Sequence, residues 1–122
     1  MYNKKYHKKL GFEHEKLLQL FILTVNRGFW RLSSHAKKRI LERIGEVEKI
    51  GLLIREYKIK YDDIIEYTFI NGHIEKILVR INYNQNYDLI IAISYDNMII
   101  TCYLNKKANN HYTINKRQYQ TV

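Results

Sequence analysis

The amino-acid sequence predicts an α+β domain in which N-terminal helices pack on one face of a four-stranded antiparallel meander. Apolar residues recur at helical spacing in three segments before residue 58, and at every second position in four segments after residue 63. Short polar turn sequences separate the four later segments, as expected of strands joined by hairpins. Helices followed by a run of strands are typical of the α+β class.

The first and third predicted helices are defined by their apolar stripes. The first covers residues 13–26, and a short strand follows at residues 29–32. The third covers residues 46–57 and contains Gly51, which lowers helix stability by about 1 kcal/mol relative to alanine. Both helices are expected to bury their stripes against the sheet.

A second helix is expected between them. Ser33 or Ser34 precedes it, and a serine hydroxyl at this position accepts a hydrogen bond from an otherwise unpaired backbone amide. Gly45 is expected to end the helix. The residues predicted to face the core are Ala36, Ile40, Leu41 and Ile44.

The four strands of the meander are predicted at residues 64–70, 73–83, 89–93 and 98–104. Asn71-Gly72 joins the first two, and this pair is a strong hairpin signal because both residues tolerate positive φ. The third strand is apolar on both faces, which places it at the centre of the sheet. Residues 1–11 are predicted to be a basic arm, and residues 105–122 a basic tail or an edge strand.

Composition and charge predict a single domain, residues 1–122, that has an anionic partner. The 21 lysines and arginines outnumber the 12 aspartates and glutamates, so the formal net charge is +9. A small domain this basic is attracted to polyanions, of which nucleic acid is the most common. The expected partner is therefore RNA, another nucleic acid, or an enzyme that acts on nucleic acid.

Several features predict a cytoplasmic protein. The single cysteine, Cys102, has no partner for an internal disulfide, and no signal peptide is visible. The apolar run at residues 17–25 is well short of the roughly 20 residues that span a bilayer, so no membrane association is expected. The richness in Ile, Lys, Asn and Tyr is typical of an AT-rich genome, including those of phages and mobile elements.

The most informative motif for function is on the second helix. His35, Arg39 and Arg43 are four residues apart, so they share one helix face. Metal-free RNA cleavage needs a base, an acid and cationic groups for the phosphate. His35 is therefore a candidate acid or base, and the two arginines are candidate phosphate ligands.

Two other interpretations of this motif stay open. The same face suits a protein that grips phosphate without cleaving it. Alternatively, His35 belongs to the helix cap and the arginines form a solvated surface. No histidine, cysteine or carboxylate spacing predicts a metal site, and no cofactor is expected.

Further candidate residues lie in the strands and near the C-terminus. Tyr103 in the last strand is a candidate acid or phosphate-orienting group, although strand tyrosines are more often present for their β propensity. Basic residues beside aromatic ones suit single-stranded RNA. The candidate nucleic-acid ligands are Lys37, Lys38, Arg80, Lys106, Lys107, His111, Lys116 and Arg117.

Two sequence patterns resemble a known family. His35-Ala36 followed by Arg39 and Arg43, together with Ile100-Thr101-Cys102-Tyr103, is similar to the small toxin domains around RelE and ParE. The resemblance covers residues 29–104. It implies a RelE-like fold of the barnase, EndoU, colicin and RelE group, with metal-free RNA cleavage and a cognate antitoxin. The extra helix within residues 12–28 and the long third helix depart from the family pattern.

Two functions follow as hypotheses. One is a toxin-like, metal-independent ribonuclease that uses His35, Arg39 and Arg43. The other is a non-enzymatic phage or mobile-element protein that binds nucleic acid or inhibits a host defence enzyme, such as an anti-CRISPR. The sequence leaves open whether the protein is an enzyme.

Overall fold

The computed structural model describes residues 4–8, 11–28 and 31–109. These residues form three helices and six strands, with a short 3-10 turn at Tyr61–Asp63 before the meander. The elements are β1 (Lys4–His7), α1 (Glu15–Arg27), β2 (Arg31–Leu32), α2 (Ser34–Arg43), α3 (Val47–Glu56), β3 (Ile64–Ile70), β4 (His73–Asn82), β5 (Tyr87–Ser94) and β6 (Met98–Lys106). The predicted α+β class is confirmed.

The strands form one mixed sheet in the order β1-β3-β4-β5-β6-β2. The antiparallel meander β3-β4-β5-β6 is confirmed, and β5 is one of the two central strands as predicted. The strand predicted at residues 29–32 is present as β2, which pairs in parallel with the start of β6. The sheet is therefore larger than the predicted four strands.

The additional strand is β1, and the prediction of a basic arm at this place was wrong. Lys4–His7 pairs antiparallel with β3, with Tyr6 opposite Tyr67. The two rings stack at 4.7 Å, and both side chains are buried. A short basic segment has no local strand pattern, so its place in the sheet depends on this long-range contact.

The three helices share one core with a single face of the sheet. Alternation along the central strands directs one set of apolar residues to this face. The core joins Ile77, Val79 and Ile81 of β4 and Leu89, Ile91 and Ile93 of β5 to Leu18, Ile22, Ala36, Ile40, Ile50 and Ile54 of the helices. The three helices thus bury their apolar residues in one core with these strand residues.

The opposite face of the sheet carries a different set of residues. Ile90 and Ala92 of β5 lie on it, and their cross-strand partners on β6 are Tyr103 and Thr101. Both β5 residues are buried but stand outside the core shared with the helices. A residue on this face is consequently separated from the helices by the thickness of the sheet.

Local turn and cap chemistry follows the sequence closely. Asn71 and Gly72 both have positive φ, 49° and 81°, as the predicted hairpin requires. Ser33 Oγ accepts a hydrogen bond from Ala36 N at 3.0 Å, so Ser33 is the N-cap of α2. Gly45, at φ 81°, follows the end of this helix.

Two predictions differ from the structure: the burial of Leu41 and the end of the last strand. Leu41 is 66% exposed, because α2 buries Ala36 and Ile40 and Leu41 is turned about 100° from Ile40 around the helix axis. The basic tail was predicted to begin at residue 105, but β6 continues to Lys106. Residues 110–122 lie outside the described residues. Over the described part of the chain, no helix has the length and apolar character to cross a membrane.

Candidate nucleic-acid interface

A cleft of about 760 Å³ lies among the three helices and the β2 edge of the sheet. The end of α1, strand β2, the first part of α2 and the second half of α3 all contribute to it. Its lining residues are Asn26, Arg27, Gly28, Arg31, Leu32, Lys37, Gly51, Ile54, Arg55, Tyr57, Lys58 and Ile99.

Among the described residues that line the cleft, five are cations and none is an acid. The cations are Arg27, Arg31, Lys37, Arg55 and Lys58, and all five are exposed. In the described part of the chain none of them forms a salt bridge with a carboxylate. The cleft therefore presents uncompensated positive charge, which attracts anions.

The carboxylate of Asp96 lies near enough to Arg31 of the cleft to interact with it electrostatically. The pKa of Asp96 is lowered, chiefly by a hydrogen bond from Ser94 and also by the charge of Arg31. Asp96 is not among the lining residues. Its influence is limited to one edge of the cleft, because only Arg31 of the five cations contributes to this shift.

Asn26 holds two walls of the cleft together. Its side-chain Nδ2 donates to Ile59 O at 2.9 Å, and its Oδ1 accepts from Ile59 N at 3.0 Å. Lys58 Nζ donates to the Asn26 backbone oxygen at 3.1 Å. These bonds join the end of α1 to the chain after α3, so the positions of Arg27 and Lys58 are coupled.

Tyr57 provides an aromatic ring at the α3 side of the cleft. It is half-buried, and its hydroxyl donates to Asp63 Oδ2 at 2.8 Å. Burial, followed by this hydrogen bond to a carboxylate, raises the pKa of Tyr57 to about 12. The hydroxyl thus stays protonated at neutral pH, and the hydrogen bond restrains the orientation of the ring.

The predicted site residues on α2 lie on two different flanks of the helix. His35 is exposed and Arg39 is half-buried, and with Arg43 they lie on one flank. Lys37 is about 200° from His35 around the helix axis, which places it on the other flank. The cleft is lined by Lys37 and by neither His35 nor Arg39.

The structure does not bring Tyr103 together with His35. Tyr103 pairs with Ile90, on the sheet face away from the helices, whereas α2 packs against the helix-covered face of β6. A catalytic pair of these two residues would need them within hydrogen-bonding reach of one substrate. The two side chains therefore do not form the pair that the sequence suggested, and a separate role for Tyr103 stays a prediction.

The other predicted nucleic-acid ligands are scattered. Arg80 and Lys107 both contact Asp88, at 2.7 and 2.6 Å, on the far side of the sheet. Lys106 is at the end of β6, and its backbone oxygen accepts from Arg80 Nη2. Lys38 lies 3.9 Å from Glu42 on the exposed surface of α2. The predicted residues His111, Lys116 and Arg117 lie outside the described residues.

Sequence reasoning identified only Lys37 among the five cations of the cleft. Arg27 and Arg55 are at the ends of helices, Lys58 is in the connection after α3, and Arg31 is the first residue of β2. Cations at helix C-termini are common because they complement the helix dipole, so neither arginine stood out. A weak signal was present: the segments that follow the first and third predicted helices each carry two cations within five residues.

No family model matches the chain, and no curated protein and no solved structure matches it. The described residues contain no cluster of three or more histidine, cysteine, aspartate or glutamate side chains that could hold a metal ion. Function is accordingly argued from the cleft.

Proposed function

We propose that this protein binds nucleic acid through the cleft formed by Arg27, Arg31, Lys37, Arg55 and Lys58, without cleaving it. The observation that carries the proposal is the convergence of five cations on one concave surface with no acid among its lining residues. Phosphate contacts from lysine and arginine supply most of the affinity of sequence-independent nucleic-acid binding.

The distribution of paired charges supports this location. Several cations elsewhere on the described surface have a carboxylate within salt-bridge distance. These pairs are Lys5–Glu66, Lys38–Glu42, Lys49–Glu46, Arg80–Asp88 and Lys107–Asp88. The five cleft cations have no such partner in the described part, so an incoming phosphate meets no competing acid at salt-bridge distance.

Helix electrostatics alone do not account for the cleft. Arg27 and Arg55 are in the last turns of their helices, where a cation is favoured without any ligand. Lys37 is near the N-terminal end of α2, where the helix dipole disfavours a cation, and the first turn contains no acid. An anion in the cleft would relieve this unfavourable placement.

The experiment that tests the proposal is fluorescence anisotropy with labelled RNA and DNA at several salt concentrations. Arg27→Glu and Arg55→Glu are each expected to weaken binding at least tenfold, because each reverses a charge in the cleft. Lys16→Glu is the matched control: it makes the same charge change on an exposed α1 residue outside the cleft. Equal loss in all three variants, or no binding by the wild type, would contradict the proposal.

A toxin-like ribonuclease with a RelE-like fold is the second candidate function. The observation that favours it is the exposed His35 beside Arg39 on one flank of α2. The test is incubation of wild type and His35→Ala with total RNA in EDTA. Cleavage by the wild type that the variant loses would support the ribonuclease. An antitoxin, or a host enzyme blocked by an anti-CRISPR-like mechanism, stays a predicted partner to be sought by copurification.

A further inference from the structure

Gly51 is a poor helix former inside a helix, and no close packing contact requires a glycine at this position. It is in the middle of α3, where glycine costs about 1 kcal/mol relative to alanine. Its φ is not positive, and a Cβ built on it would meet no atom within 4 Å. A side chain would therefore fit here, and the helix would be more stable with one.

The location of Gly51 explains why a residue without a side chain occupies this position. It lines the cleft together with Ile54, Arg55 and Lys58, which are three, four and seven residues further along. This spacing defines one face of the helix and its continuation. A side chain at Gly51 would project into the space that the cations surround, so glycine keeps that space open.

The open space has an apolar base and a charged border. The apolar lining residues are Leu32, which is half-buried, and Ile54 and Ile99, which are buried, and the half-buried Tyr57 also lines the cleft. The five exposed cations are distributed among the four segments that enclose this space. Such an arrangement suits a flat apolar ring bonded to an anion, which is the chemistry of a nucleotide.

We infer that the cleft selects single-stranded nucleic acid by admitting one nucleobase over Gly51 while the cations hold the adjacent phosphates. This inference rests on the proposed function and specifies its ligand class. In a duplex the bases are paired and stacked inside the helix, so only phosphates reach the cleft. In a single strand a base is free to turn outward and enter an apolar site.

The test compares Gly51→Leu with Gly51→Ala. Leucine fills the cleft but keeps every cation, whereas the alanine methyl group meets no neighbour and leaves most of the space open. Three labelled ligands are used: a uridine-rich RNA strand, a DNA strand of the same length containing abasic sites, and an RNA duplex. An unmodified DNA strand is the fourth ligand and distinguishes RNA from DNA as the source of the base.

We expect Gly51→Leu to weaken binding of the unmodified strands about tenfold, the scale of losing one stacked base. Binding of the duplex and of the abasic strand should change less than about twofold on the same argument. Gly51→Ala should weaken binding of the unmodified strands less than Gly51→Leu does, because a methyl group takes up only part of the space that leucine fills. Thermal unfolding checks that neither variant is less stable, since both remove a glycine from a helix.

The outcomes separate this inference from the proposed function. If Gly51→Leu weakens all ligands equally, or none, base entry is wrong although the cleft still binds phosphate. If the wild type prefers the duplex to the single strand, the inferred ligand class is wrong. If the wild type binds no nucleic acid even at low salt, the proposed function itself fails.

Discussion

At the end of α1, Gly28 lies against the side chain of Asn97 with no room for another atom. A Cβ at residue 28 would overlap Asn97 Nδ2 and come within 3.2 Å of its Cγ. The Gly28 amide donates to the carbonyl oxygens of Thr24 and Val25, so the backbone here is held in place. Arg31 N also donates to Asn97 O, which ties the turn after β5 to β2 beside the cleft.

This contact predicts the effect of Gly28→Ala. We expect a loss of about 1 kcal/mol in the free energy of unfolding, the lower end of the overpacking range, because the methyl group displaces only the amide end of the Asn97 side chain. Adding Asn97→Gly should recover most of the loss, since glycine removes the overlapping atoms and accepts the φ of 61° at this position. Urea denaturation measures both. A double variant no more stable than Gly28→Ala would show that the overlap is not the cause.

Among the elements, β4, β5 and the chain leaving β6 are joined by one carboxylate. Asp88 on β5 accepts from Arg80 Nε at 2.7 Å and from Lys107 Nζ at 2.6 Å. Burial by itself would raise the pKa of Asp88, but the hydrogen bonds from Lys107 and Arg80 outweigh burial and lower the pKa below its usual value. Asp88 thereby stabilises the fold in its ionised form.

The sign of this shift predicts the pH dependence of stability. A lowered pKa in the folded state adds stability above the ordinary carboxyl pKa, and this stability is lost as the pH falls through the folded-state value. Asp88→Asn should therefore cost about 1–3 kcal/mol at pH 6. The difference from the wild type should shrink steadily below about pH 4. Urea denaturation across pH measures it, and a difference that does not depend on pH would contradict the ionic role.

On the scale of the whole molecule, the net charge of +9 is not spread evenly. Five cations that have no salt-bridge partner among the described residues converge on the cleft, while Arg80 and Lys107 are paired on the other side of the sheet. Binding driven by such a cluster releases counterions from nucleic acid and weakens as salt increases. The number of phosphates engaged is thus measurable from the salt dependence.

This predicts the slope of log affinity against log salt concentration. If five phosphates are engaged, the slope for a single strand should approach about −3.5, from about −0.7 per contact. Arg27→Gln or Arg55→Gln should each reduce its magnitude by about 0.7, and Lys16→Gln, outside the cleft, should leave it unchanged. Anisotropy titrations between low and physiological salt measure the slope. A slope near zero in the wild type would exclude phosphate contacts as the source of affinity.

The sequence correctly predicted the parts of the fold that depend on local sequence signals. The Asn71-Gly72 hairpin, the Ser33 cap and the end of α2 at Gly45 each depend on a few adjacent residues. The apolar alternation of β4 and β5 identified the faces of the central strands correctly. Strand β1 was missed because its place depends on Tyr6 stacking on Tyr67, sixty-one positions away by residue number.

The candidate site was predicted only in part. Charge composition indicated an anionic partner, and Lys37 was among the predicted ligands. The other four cations of the cleft come from the ends of α1 and α3 and from the segments that follow them, and Asn26 couples two of these segments through Ile59. No periodicity in the sequence predicts that these segments meet, because they come together only when the helices pack.

By itself the sequence determined the α+β class, the order of helices and meander strands, the turns and the excess of positive charge. Side-chain alternation and backbone preference act over a few residues. Net charge is the total over all residues of the chain. Only the tertiary structure decided that β1 joins the sheet, that Tyr103 and His35 lie on opposite sides of it, and that the cations converge around Gly51. Each of these depends on contacts between distant segments, whose geometry is set by packing of the shared core.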